Sequence, residues 1–278
     1  MKLIRHGHPG AERPGLIDAD GRVRDLSKHI ADVSGAVLEP NSLRRLRGLD
    51  PLELPLVAPS VRLGPCVGQV GKFICVGLNF LDHVREAGAQ IPTEPVLFMK
   101  ATSCISGPND PIVIPRGATK VDWEVELGVV IGRISTNISE DDALECVAGY
   151  CVVNDLSERG WQLEGTGQWV KGKSADTFGP IGPWMVTPEE VRNPQKLNLW
   201  LSVNGQMRQN SNTDQMIFPV KSLVSYISRF MTLHPGDVIS TGTPPGVALG
   251  MKPPVYLKPG DQVRLGIEGV GEQRQRVE

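Results

Sequence analysis

The sequence is short of the features that mark several protein classes. Its five cysteines, Cys66, Cys75, Cys104, Cys146 and Cys151, include no Cys-x-x-Cys pair. Two of them sit in apolar, strand-like runs where a free thiol acts as a small hydrophobe, so neither a structural disulfide nor a zinc site is expected. Charge of one sign is not in excess either. Lysines and arginines number 29 against 31 aspartates and glutamates, a formal net charge of -2, which gives no electrostatic basis for binding nucleic acid or an acidic membrane. No apolar run is long enough for a membrane span. The opening residues Met1-Lys2-Leu3-Ile4-Arg5-His6 lack the apolar stretch of a secretory signal, and the cytoplasm is the expected location. Internal repeats and low-complexity tracts are missing. A chain of 278 residues can bury a substantial core, as one large domain or one large plus one small.

What is present reads as a small leading module and a larger, strand-dominated one. Asp18-Ala19-Asp20-Gly21 is a hairpin signal between Gly15-Leu16-Ile17 and Arg22-Val23-Arg24. Two short helices are expected next, one capped by Ser27 and running through Val33, the other capped by Asn41 over Ser42 to Gly48. Pro51, Pro55, Pro59 and Pro65 mark an irregular linker. The expected division is therefore 1–68, a small α/β module, and 69–278, with helix over Asp141 to Cys146 and Val220 to Phe230 and strands nearly everywhere else. Overall the fold class is α+β.

The most informative segment is Val121 to Arg133, an apolar strand that carries Glu124 and Glu126. Side chains alternate along a strand, so Trp123, Val125, Leu127 and Val129 share one face while Glu124, Glu126 and Gly128 share the other. Two carboxylates about 5.5 Å apart repel by about 3 kcal/mol at an effective dielectric of about 20. A bound hard cation such as Mg²⁺ or Mn²⁺ relieves this, and Gly128 leaves room beside it; glutamates on an edge strand facing water are the plainer alternative. A second apolar run, Val147 to Asn154, ends in Asp155, at a strand end where a third ligand could sit or where an aspartate could cap the next turn. Asn79 to Gly88 reads as a two-turn helix, Asn79 its cap and Gly88 its stop, too short to be stable alone and suited to a lid. His83 and Glu86 share one face of it, so the carboxylate can hold the imidazole in one tautomer; an exposed ion pair is the alternative.

Five segments occur in order: Gly77 to Glu86, the Glu124-x-Glu126 strand, Asn154-Asp155-Leu156-Ser157-Glu158-Arg159-Gly160-Trp161-Gln162, Lys171-Gly172-Lys173-Ser174-Ala175-Asp176-Thr177-Phe178, and Ser240-Thr241-Gly242-Thr243-Pro244-Pro245-Gly246. Together they resemble the fumarylacetoacetate hydrolase family over roughly residues 70 to 275, and the leading part resembles its longer bacterial members. Some of those act on 2,4-diketo-3-deoxy sugar acids, and many are labelled ureidoglycolate lyase. The resemblance implies a mixed β-roll, Mg²⁺ or Mn²⁺ on Glu124, Glu126 and Asp155, a water-activating His83–Glu86 pair and an enolate-stabilising Lys173. It also implies Thr177 and Thr243 near the substrate or metal, and a homodimer. Arg159 and Gln162 would share a helix face with Asp155 and bind the acid's carboxylate and keto group. Lys171 has no family counterpart and is expected at the surface.

The implied activity is metal-dependent hydrolysis of a carbon–carbon bond in a 2,4-diketo acid. Related lyase, decarboxylase or isomerase chemistry on a 2-oxo acid or ureidoglycolate is the alternative, and a non-catalytic metal-chelating binding protein the second. Two positions depart from fumarylacetoacetase: Val76 stands where a fourth carboxylate would precede His83, which suggests water in an open coordination position, and Gly160 follows Arg159 where the family often has aspartate.

Overall fold

The computed structural model describes residues 1–278, apart from the side chain of Ala87. Sixteen strands run in chain order as β1 (Lys2–His6), β2 (Arg13–Ile17), β3 (Val23–Asp25), β4 (Phe73–Gly77), β5 (Val96–Lys100), β6 (Ile105–Ser106), β7 (Val121–Asp122) and β8 (Val125–Ile131), followed by β9 (Val147–Asn154), β10 (Ser157–Glu158), β11 (Gly179–Val186), β12 (Asn198–Val203), β13 (Gln206–Asn212), β14 (Val238–Ser240), β15 (Gln262–Ile267) and β16 (Gly271–Arg276). Helices are few and short: α1 (Pro40–Arg47), α2 (Leu81–Ala87), α3 (Arg159–Leu163), α4 (Val170–Lys173) and α5 (Val220–Ser228). The fold is α+β and strand-dominated, and among the described residues no helix is long and apolar enough to cross a membrane.

The main sheet has the order β3-β2-β1-β11-β9-β8-β14-β4-β5, with β6 added beside β11. Most pairs are antiparallel; β14 with β4 and β11 with β6 are parallel. β8 and β9 lie at its centre and every residue of both is buried, as their near-continuous apolar composition demands. Gly128 of β8 belongs to this packing. A Cβ there would fall 2.7 Å from both Cys151 Sγ and Val153 Cγ2 of β9, so the glycine makes room for the neighbouring strand rather than for an ion. The second sheet, β13-β12-β15-β16, packs on β8, β9 and β11. From it Gln209 donates to Pro244 O and accepts from Val125 N, while Gln273 donates to Val152 O. Strand β1 pairs with β11, so the amino-terminal hairpin extends the main sheet, and Leu3, Leu16 and Leu26 join the common core.

Several local expectations are corrected. No helix forms over Ser27 to Val33: Asp25 Oδ1 takes the Ser27 amide and Asp32 Oδ1 the Val33 amide, and side chains that capture nearby amides close turns instead of extending a helix. Helix α1 begins at Pro40 with Glu39 as its cap, not Asn41, because proline is favoured in the first helical turn. Asp141 to Cys146 contributes only a single 3₁₀ turn, Ala143–Cys146. The expected helix from Val220 forms and ends at Ser228.

Asn79 does not cap α2; that place belongs to Phe80, which makes no side-chain cap. The Asn79 amide is fully buried and cross-links two distant loops, donating to Thr241 O at 2.7 Å and Phe218 O at 3.1 Å and accepting from Phe218 N at 2.8 Å. Asn79→Ala leaves these backbone groups unpartnered inside the protein. It is expected to lower unfolding stability by about 2–4 kcal/mol, read as an earlier midpoint in urea; an unchanged midpoint would show that the cross-link carries no stability.

Candidate active site

Three acidic side chains meet where the centre of the main sheet ends. Glu124 lies in the break between β7 and β8, Glu126 is the second residue of β8, and Asp155 follows the last residue of β9. The neighbouring strands hold them together: Val125 pairs with Asn154, and the Asp155 amide donates to Glu124 O. One oxygen from each of the three carboxylates lies within 4.8 Å of the others. Asp155 therefore does not cap the following turn, and Glu124 and Glu126 do not face bulk water, being 5% and 2% exposed.

Burying this much negative charge requires compensation. Lys173 Nζ donates to Glu124 Oε2 at 2.8 Å and to Asp155 Oδ2 at 2.7 Å. Arg159 donates to Glu124 Oε1 at 2.6 Å and Asp122 Oδ2 at 2.8 Å. Lys100 Nζ donates to Asp155 Oδ1 at 2.5 Å and Leu156 O at 3.0 Å. Burial alone would raise the Glu124 carboxyl, but Lys173 and Arg159 bring it down to about 2. Glu126 goes the other way: burial, then the charges of Asp155 and Glu124, push it well above the carboxylate range, against Lys173 and Ser240. Its two hydrogen bonds, from Ser240 Oγ at 2.6 Å and Gly242 N at 2.9 Å, both fall on Oε2, which leaves Oε1 for a cation. Oxygen-only donors and an excess of negative charge fit a hard divalent ion.

Backbone approach delivers Lys173. A Cβ on Gly172 would lie 2.5 Å from Gln162 N and 2.6 Å from Glu158 O, so only glycine lets α4 pack this tightly on α3. The neighbours of Gly172 diverge as expected: Lys173 is buried and Lys171 exposed. Helix α3 starts at Arg159, where the Glu158 carboxylate accepts the Trp161 amide as its cap. Because Ser157–Glu158 is a strand, Arg159 and Gln162 share a helix face with each other but not with Asp155. Arg159 Nη1 donates to Gln162 Oε1 at 2.9 Å, which leaves the Gln162 NH₂ to donate elsewhere.

Helix α2 borders the same cavity and ends at left-handed Gly88 (φ 62°), as its sequence predicts. His83 Nδ1 is 3.3 Å from Glu86 Oε2. The same carboxylate accepts the Gly246 amide at 3.1 Å on each oxygen, and Asp82 Oδ2 accepts Ser211 Oγ at 2.6 Å. These contacts hold the helix at both ends. Burial would raise the Glu86 carboxyl, yet the bonds from His83 and Gly246 bring it below its usual value.

A cavity of about 470 Å³ joins the elements: Glu124, Glu126, Asp155, Lys173, Arg159, Gln162, Thr243, His83 and Glu86 all line it. The hydroxyl of Thr243 is occupied, donating to Val125 O and accepting from Gln209 Nε2. Thr177 is not brought here. It sits at a left-handed φ of 67°, its Oγ1 accepts the Val113 amide, and it fixes a turn. Val76 lines the cavity from β4 and supplies no ligand atom. Two members of the cluster are not singled out by the sequence: Lys100, a lone cation ending the apolar run Val96–Met99, and Asp122, which also accepts the amides of Trp123, Ala248 and Leu249.

Residues 72–278 match the family described as fumarylacetoacetate (FAA) hydrolase C-terminal. The chain belongs to the fumarylacetoacetate hydrolase family. A Burkholderia multivorans protein bearing a hydrolase name is 62% identical over 276 residues, which is 99% of this chain and 98% of that one. Among solved structures, fumarylacetoacetate hydrolase from Exiguobacterium antarcticum is similar at 37% identity and TM-score 0.86, covering 100% of this chain and 99% of that one. The 2-hydroxyhepta-2,4-diene-1,7-dioate isomerase of Mycobacterium marinum is similar at 32% identity and TM-score 0.76, covering 100% and 98%. Maleylpyruvate hydrolase from Sphingobium sp. SYK-6, in complex with manganese(II) and pyruvate, is similar at 29% identity and TM-score 0.83, again over 100% and 98%. This family member thus carries the buried carboxylates on a fold shared with both hydrolases and an isomerase.

The elevated Glu126 carboxyl has a measurable consequence. A carboxyl raised by burial and like charges holds its proton to higher pH, and a cation can bind only as that proton leaves. Binding of Mg²⁺ or Mn²⁺ should therefore release protons, and affinity should strengthen as pH rises. Titration calorimetry in two buffers of different ionisation enthalpy reads this directly; equal heats in both would contradict it.

Proposed function

We propose that this protein is a divalent-metal-dependent hydrolase that cleaves a carbon–carbon bond in a 2,4-diketo acid of the acylpyruvate type. One observation carries the reading: the carboxylates of Glu124, Glu126 and Asp155, within 4.8 Å of one another, share one cavity with the His83–Glu86 pair. A chelating site alone requires neither the histidine nor the helix that carries it. A cation held by the three carboxylates supplies Lewis-acid polarisation of the 2-oxo acid, and Mg²⁺ or Mn²⁺ suits the donors.

The remaining chemistry falls to the chain's own side chains. Gln162 presents its NH₂ to the acid's head, held in place by Arg159, which bonds Asp122, Glu124 and Gln162 and keeps two further N–H donors for the acid. His83 takes a proton from water as the water oxygen adds to the distal carbonyl, with Glu86 fixing the imidazole's tautomer. The bond between that carbonyl carbon and the central methylene carbon breaks, and the electron pair passes into the enolate of pyruvate. The Lys173 ammonium lies beside the head and stabilises that negative charge. Protonation of the enolate carbon completes pyruvate, and the other product is a carboxylic acid. Proton movement without addition of water would give isomerisation instead, a reading favoured by the similarity to the Mycobacterium marinum isomerase. The products separate the two, since only hydrolysis yields pyruvate and a second acid in equal amounts.

His83→Ala is expected to retain cation binding while the turnover number falls by about 10² to 10⁴, the usual cost of losing a general base. Unchanged turnover would remove His83 from the mechanism. Lys173→Met should lower turnover at least about tenfold, or roughly 1.4 kcal/mol of transition-state stabilisation, whereas Lys171→Met should match wild type. Equal losses from the two lysine variants would contradict the role given to Lys173.

A further inference from the structure

Asp122 is fully buried and bonds two separate parts of the cavity wall, Arg159 and Leu249. Each of its oxygens accepts two hydrogen bonds. Oδ1 takes the amides of Trp123 at 2.8 Å and Ala248 at 2.7 Å, and Oδ2 takes the Leu249 amide at 3.0 Å and Arg159 Nε at 2.8 Å. Four donors fill the acceptor capacity of a carboxylate. Two of them open the 3₁₀ turn Ala248–Gly250, whose preceding residue, Val247, gives it no side-chain cap. The first amides of such a turn have no partners within it, and here an aspartate from a distant strand meets them.

That turn lies directly against Glu86. A Cβ on Gly250 would fall 3.0 Å from Glu86 Cδ. Just ahead of the turn the Gly246 amide donates to both Glu86 oxygens, and the Gly246 carbonyl accepts Trp123 Nε1 at 3.1 Å. Residues 122 and 123 therefore hold both the Gly246 peptide and the turn that follows it. Glu86 in its turn is 3.3 Å from His83 Nδ1. A continuous path runs from Asp122 through the turn to the imidazole, and it bypasses the carboxylates of the candidate cation site.

We infer that Asp122 is a positioning residue for the His83–Glu86 pair: it anchors the turn that fixes the Glu86 carboxylate, and through that carboxylate the imidazole. The inference rests on His83 as the base of the proposed hydrolysis and deepens it. Asparagine has the same shape but cannot replace the aspartate. Its NH₂ must face one of the two pairs of donors, and either choice breaks a bond to the turn. A small displacement of a base costs rate steeply. The bond to Arg159 is a second route from Asp122 to the site, and the two routes differ in signature. Loss through Arg159 weakens binding and does not depend on His83, whereas loss through the turn lowers turnover only when His83 is present.

Turnover of acetylpyruvate with Mg²⁺ is measured for wild type, Asp122→Asn, His83→Ala and the double variant. Asp122→Asn should lower the turnover number about tenfold with His83 present and less than about twofold in His83→Ala, a coupling that a merely structural residue would not show. A larger loss in the His83→Ala background, or a raised KM with turnover unchanged, would overturn the assignment. Amide hydrogen exchange gives a readout independent of turnover: in Asp122→Asn, residues 79–88 should exchange at least about threefold faster while β9 keeps its protection. Unchanged exchange over 79–88, or equal acceleration in β9, would overturn it as well. If Asp122→Asn does not fold, Ala248→Pro removes one of the same bonds from the side of the turn, since Val247 is extended and proline suits a first helical position; the same outcomes decide. A wild-type protein that releases no pyruvate from acetylpyruvate would overturn the hydrolysis, while the exchange measurement still decides whether Asp122 positions the pair.

Discussion

The structure is organised around the cost of burying carboxylates. Asp122, Glu124, Glu126 and Asp155 are all withdrawn from water, while the cations bonded to them are Lys100, Lys173 and Arg159. An isolated carboxylate in such surroundings would take up a proton or unfold its neighbourhood. The imbalance concentrates on Glu126, whose only direct donors are the neutral groups of Ser240 and Gly242. A divalent ion beside it would convert the most strained member of the cluster into a ligand, so charge balance and cation binding are one requirement.

The fold serves that requirement by bringing the counter-charges from separate parts of the chain. Lys100 ends β5 at the sheet edge, Arg159 opens α3, and Lys173 closes α4. Strands β8 and β9 supply the carboxylates at a fixed spacing because both are buried and paired along their length. The rigid centre of the sheet thus carries the carboxylates that line the cavity. Helix α2 borders the same cavity and is held by the buried Val84 and by polar contacts at Asp82 and Glu86.

Much of this is legible in the sequence, and the reasons are specific. Glu124, Glu126 and Asp155 stand out because acidic residues interrupt runs whose apolar, β-branched composition belongs inside a sheet. His83 and Glu86 follow from helical spacing, and Lys-Gly-Lys separates its two lysines because Gly172 permits an approach that turns only one of them inward. What escapes is whatever depends on contacts between distant segments. Lys100 resembles a solvated strand end until Asp155 is seen to be 2.5 Å away. Asn79 has the composition of a helix cap but instead joins the Phe218 and Thr241 loops. Thr177 stands in a matching motif, yet its hydroxyl holds Val113. Position in a motif conveys proximity in sequence; which hydroxyl or amide is already engaged is decided by tertiary partners.

The proposed chemistry requires the carboxylate cluster to be a cation site. Crystals soaked in Mn²⁺ and measured at the manganese absorption edge test this most directly. The expected result is a single strong anomalous peak among Glu124, Glu126 and Asp155, with one oxygen of each at about 2.1–2.2 Å, as hard-ion coordination requires, and Glu126 Oε1 among them. A map without a peak there at saturating Mn²⁺, or with the manganese bound elsewhere, would contradict it.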